Sequence, residues 1–157
     1  SQARDAGITC PIMAGDTWDD ISIAQRTGDK ATEIFFSAFF DSADATNEAG
    51  KTFAEGFTKW VAEDSVRTEN NGGVSDVVSS VTPCGYDAYM AAVGAIEKAN
   101  STDGKVIRDA LAGLEIQGLI TGDLKFDENG DAIKNYAVIK TIKDGNIVYY
   151  STFNGLN

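Results

Sequence analysis

The run from Gly118 to Asp131, with the segment from Asn135 to Tyr150 behind it, constrains this chain most. It alternates, breaks at a polar turn and resumes as strand. Leu124 and Phe126 point to one side and Asp123 and Lys125 to the other, the period of a half-buried strand. Asp127-Glu128-Asn129-Gly130-Asp131 reads as a tight turn, with Asn-Gly supplying the positive φ that hairpins need. Tyr136 to Ile142 is rich in β-formers, Lys143 to Asn146 is a second turn, and Ile147 to Phe153 is the returning strand.

The preceding residues alternate between strand and helix signals. Ser1 to Gly7 reads as the end of a helix closed by a glycine, so the chain looks truncated inside a longer one. Ile8 to Ala14 suits a short buried strand, and Asp19 or Asp20 suits the cap of a helix running through Arg26. Thr32 to Phe40 is a strand rich in Phe. Asn47 is an N-cap for a helix to about Glu63, on which Phe53, Phe57 and Trp60 recur as a core stripe. Asp64 to Ser75 is polar, with Asn71-Gly72-Gly73 as a turn, and Val74 to Val81 fits a short strand or a loop. Pro83-Cys84-Gly85 leads into a helix from Tyr86 to Ala99. Lys105 to Ala112 forms another, with Val106, Ile107, Ala110 and Leu111 inward. This order is α/β, and no internal repeat is visible.

Composition removes several functions. A net charge of −11 repels phosphate backbones, so no nucleic-acid partner is expected. The absence of His removes the usual general base and every Ser-His or Cys-His pair. Neighbouring carboxylates such as Asp19-Asp20 are ordinary surface, so an enzyme has little support. Cys10 and Cys84 are too few for a disulfide framework; they pair with each other, stay free or pair elsewhere. The acidic turn at Asp127 is not a calcium loop: Gly130 comes too early and Val138 stands where a bidentate Glu is needed. No metal or cofactor is expected. No apolar run reaches membrane-spanning length, and no signal peptide is present.

The wording of TGDLKFDENGDA followed by YAVIKTIKDGNIV resembles the C-terminal part of the solute-binding proteins of branched-chain amino acid ABC transporters. QARDAGIT, CPIMAGDTWDD and GYDAYMAAVGAIEKANSTDGKVIRDAL follow the same family's order. The resemblance implies the type 1 periplasmic-binding-protein fold: two three-layer αβα lobes joined by three crossing segments, with ligand in the cleft. Such proteins are about twice this length, so the fold here would be incomplete. By resemblance, crossings fall near Phe39-Phe40 and Asn135-Tyr136. Residues 1–40 and 136–157 then belong to the second lobe and 41–135 to the first. Neither sheet would be complete. Bare sheet edges lead to the expectation of a second chain, self-association or elements exchanged between copies.

The resemblance also implies a site. Asp16, at the C-terminal end of a strand, would take the α-ammonium of an amino-acid ligand. Trp18 would wall an aliphatic side chain, and Tyr86 would face the cleft from a helix start. Each has a plain alternative: Asp16 as a turn residue, Trp18 and Tyr86 as packing. The implied function is capture of a small aliphatic amino acid and delivery to a membrane ABC permease. The implied location is periplasmic or extracellular, a lipoprotein-anchored parent included. A sensor or regulator domain of the same fold is the alternative.

Overall fold

The computed structural model describes residues 1–134 and 136–154. Its elements begin and end where the capping chemistry directs. Helix α1 (Gln2–Asp5) stops just before Gly7, which takes a φ of 80°. Strand β1 (Ile12–Ala14) follows, and then α2 (Ile21–Thr27), where the Asp20 carboxylate accepts the Ser22 N–H at 2.8 Å. After β2 (Ile34–Ala38), Asn47 caps α3 (Glu48–Ala62) by accepting the Gly50 N–H at 2.8 Å. Next come α4 (Ser65–Asn70), α5 (Thr82–Ala99) and α6 (Gly104–Ala112). The chain ends in β3 (Glu115–Ile116), β4 (Leu124–Phe126), β5 (Ala132–Ile133), β6 (Tyr136–Lys143) and β7 (Asn146–Asn154).

The strands form two sheets. One has the order β1-β2-β6-β7, with β1 parallel to β2 and the other pairs antiparallel. The other is the small antiparallel sheet β3-β4-β5. On the larger sheet Ile34, Phe36 and Ile142 point inward and pack with Ala24 of α2 and with Trp18. The opposite face is bare: Phe35 meets Tyr150 edge-on at 5.0 Å, and Met13 beside them is exposed. The helices pack on the small sheet through Ala91, Ala95, Leu114, Leu119 and Leu124. A third cluster, Phe40, Ala54 and Ile120, lies beside the exit from β2. There α3 comes so close that a Cβ at Gly50 would stand 2.7 Å from the Phe40 ring.

Several sequence expectations change. Only Ile12–Ala14 of the first apolar run is strand. It is a sheet edge with Met13 exposed, because nothing pairs with its outer side among the described residues. The polar stretch after Asp64 contains α4, started by the Asp64 side chain accepting the Arg67 N–H at 3.0 Å. Of the two alternatives for Val74 to Val81, strand or loop, the structure shows no strand. Helix α5 starts at Thr82, with Pro83 in its first turn, where a missing N–H costs nothing. Val106 is exposed, while Ile107 and Leu111 pack inward. The stripe on α3 leaves the core: Phe53 packs against it, but Trp60 is 50% exposed under the Arg67 guanidinium at 4.3 Å.

Candidate functional site

The chain passes between the large sheet and the helical unit after β2 and before β6. At the second passage, Asn135 lies outside the described residues. The first passage, 39–47, carries two carboxylates that reach back to the large sheet. Asp44 is 1% exposed. It accepts the Tyr136 hydroxyl at 2.6 Å, the Thr152 hydroxyl at 2.8 Å, and the Thr46 hydroxyl and N–H at 2.7 and 2.9 Å. Burial alone would raise its pKa, but those hydrogen bonds outweigh burial and hold it at about 2. Burial, together with the Asp44 charge, pushes the Tyr136 phenol well above its ordinary value. Asp41, three residues earlier, lies 3.3 Å from the Lys140 ammonium.

Asp16 follows the C-terminal end of β1 and opens a single 3-10 turn, Asp16–Trp18. That turn is closed by the Trp18 N–H on the Gly15 carbonyl and the Asp19 N–H on the Asp16 carbonyl, at 3.1 and 3.0 Å. Trp18 packs against the inner face of the large sheet, so much of its ring serves the core. On the helical side, Cys84 and Tyr86 occupy the first turns of α5. Burial raises the Cys84 thiol pKa, and Asp87 and Asp16 add to the rise while Lys134 opposes it. The Asp16 charge is therefore felt at the start of α5. Tyr86 is 44% exposed and tilts against Phe53 at 5.5 Å. Thus Asp16 opens the turn after β1, Trp18 packs on the sheet, and Tyr86 joins the aromatic row of α3.

Beneath the start of α5, Asp87 is 5% exposed and accepts the N–H groups of Ile120 and Thr121 and the Thr121 hydroxyl, at 3.0, 2.8 and 2.6 Å. The sequence suggests only a helix-start residue there; in the fold it clamps the loop before β4. Lys134 donates to the Thr121 and Gly122 carbonyls at 3.3 and 3.2 Å, and its burial lowers its pKa. Sequence reasoning passed over Asp44 and Lys140 and gave Asp87 only a helix-start role. Only Lys140 carries a signal: a charge between Val138 and Ile142 on the inward side of a strand.

Two hollows of about 310 Å³ lie elsewhere, one on the small sheet around Glu115, Asp123 and Lys125, the other beside Phe53, Phe57 and Trp60. Neither is lined by Asp16, Trp18 or Tyr86. Both mark faces left uncovered among the described residues. Cys10 and Cys84 are free thiols, and no cluster of metal-ligating side chains occurs among the described residues.

A mixed α/β fold of this kind is that of the type 1 periplasmic binding proteins. The family model described as Periplasmic binding protein matches residues 1–146, and the chain belongs to that family. Among solved structures it resembles a leucine binding protein from Thermotoga maritima, with 30% identity and a TM-score of 0.73 over 98% of this chain. It also resembles an ABC transporter substrate-binding protein from Desulfitobacterium hafniense in complex with Leu (25%, TM-score 0.65, 94% of this chain). A solute binding protein from R. palustris in complex with benzoate shares the fold at 15% identity and TM-score 0.60, over 96% of this chain. The chain spans 40% of the length of the first, and 38% of each of the others, so the fold is incomplete. No curated protein matches.

Proposed function

We propose that this chain is part of a two-lobed, extracytoplasmic solute-binding protein of an ABC importer. The protein captures a small aliphatic amino acid and hands it to a membrane permease. Residues 1–40 and 136–157 contribute to one lobe and 41–135 to the other. The observation that supports this reading is the Asp16 carboxylate, which follows the C-terminal end of β1 and opens the turn Asp16–Trp18. A carboxylate there suits a ligand ammonium, a group that benzoate lacks, and this favours an amino acid. Tyr86 meets the ligand from the other lobe, and Trp18, only partly buried against the sheet, bounds its side chain. The ligand leaves chemically unchanged, and lobe closure is a hinge motion. The bare face of Met13, Phe35 and Tyr150 and the open aromatic row of α3 are covered in this reading by the rest of the two lobes.

The test is titration calorimetry of the two-lobed protein that carries this chain, with leucine, isoleucine, valine and benzoate. Binding of one or more of the amino acids, weakened at least about tenfold by Asp16→Asn, is expected. Binding of benzoate alone, or amino-acid binding indifferent to Asp16, refutes it.

A further inference from the structure

Lys140 sits where the sheet calls for an apolar side chain. Along β6 the inward positions run Val138, Lys140, Ile142, and all three are buried. Its ammonium lies 3.0 and 3.2 Å from the two Asp19 oxygens and 3.3 Å from Asp41. The lysine side chain is 7% exposed and those of Asp19 and Asp41 are 9% and 16% exposed. The β6–β7 register also shifts between Ile139 and Lys140: Ile139 faces Ser151 while Lys140 faces Tyr149, leaving Tyr150 as an extra residue. Such irregularities re-aim side chains.

Stability alone does not explain the arrangement, because replacing buried ion groups with apolar ones of similar volume is often neutral or stabilising. What the triad fixes is position. Asp19 closes the turn that begins at Asp16, through its own N–H. Asp41 opens the segment that crosses to the helical unit, and it also accepts the Ala43 N–H at 2.8 Å. One ammonium therefore holds the Asp16–Trp18 loop and the crossing segment to the same strand.

We propose that Lys140 is a positioning residue that fixes the ligand-facing loop through Asp19 and couples it, through Asp41, to the segment that moves when the lobes close. The ligand and the lobe closure in this statement rest on the function proposed above; the holding of the Asp16–Trp18 loop by Lys140 does not. A shift of 41–44 during closure changes the Asp41–Lys140 contact and is passed to Asp16 and Trp18.

The experiment has two arms, both on the two-lobed protein carrying this chain. Amide hydrogen exchange without ligand compares the unmodified protein with Lys140→Met; faster exchange at Trp18 and Asp19 is expected, and unchanged exchange there overturns the proposal. Leucine affinity is then measured for Lys140→Met with and without Asp16→Asn. A loss of about tenfold or more that disappears in the Asp16→Asn background is expected. An equal loss in both backgrounds makes Lys140 merely structural and overturns the coupling. Where Lys140→Met does not fold, Asp19→Asn, which leaves Lys140 paired with Asp41, is read by the same two criteria. An unmodified protein that ignores leucine removes the proposed ligand, and the exchange arm alone then decides the positioning role.

Discussion

Replacing Asp44 by Asn keeps the size of the side chain and removes its charge. The native carboxylate gathers four hydrogen bonds from Thr46, Tyr136 and Thr152. These lower its pKa from 3.8 to about 2 against the opposing effect of burial. A depression of that size corresponds to about 2 kcal/mol of stability near neutral pH. The sign follows from the direction. A carboxyl with a depressed folded pKa contributes fully above its unfolded pKa and loses that contribution as pH falls through the folded value. The difference between native protein and Asp44→Asn should therefore be about 2 kcal/mol at pH 7 and about half of that at pH 3. Urea denaturation at closely spaced pH values reads it directly, with the m-value as a check on two-state behaviour. A difference below about 0.5 kcal/mol at pH 7 would mean that solvation offsets the hydrogen bonds. A full-sized difference that persists unchanged to pH 3 would mean that shape, not charge, matters at this position. Either result refutes the reasoning.

Tyr136→Phe should cost about 1–2 kcal/mol at pH 7, because the shortest contact to Asp44 is lost. Since the folded phenol pKa is raised, its contribution is complete below pH 10 and fades above it, so denaturation of the native protein, but not of the variant, should show that alkaline loss. Asp87→Ala strips three donors of their acceptor and should destabilise by about 3 kcal/mol or more, with hydrogen exchange at Ile120 and Thr121 rising first. Trp60→Ser should leave folding stability within about 1 kcal/mol, because the indole is half exposed, while reducing self-association of this chain in sizing chromatography. A chain that elutes as a compact monomer before any substitution removes the association argument.

The antiparallel end of the chain was legible because a period of two and glycine turns are local signals. The caps at Asp20 and Asn47 were legible for the same reason: each side chain satisfies an N–H two or three residues away. What local pattern missed was set by distant partners. The α3 stripe has the spacing of a core face, but spacing cannot say that Trp60 is left half exposed. Asp44 looks like any loop aspartate until Tyr136 and Thr152, 92 and 108 positions away, converge on it. Of the three suggested site residues, Asp16 rested on its place at a strand end, which the fold reproduces. Trp18 rested on residue type alone, and the sheet takes most of it as packing.

The larger sheet is assembled from the two ends of the chain, since β2 and β6 are neighbours with the whole helical unit between them. In folding terms the β2–β6 pair closes a loop of roughly 100 residues, at a cost of about 4 kcal/mol if that loop were a flexible coil. The contacts of α5 with α6, of β3 with β4 and of β4 with β5 are far more local and form without that cost. Once they have formed, Phe40 is seated beside Ile120, and Lys134, two residues before β6, is held on Thr121 and Gly122. The helical unit then acts as a rigid connector that delivers β6 to β2. Interruptions inside residues 41–134 should therefore slow closure of a sheet to which those residues contribute no strand.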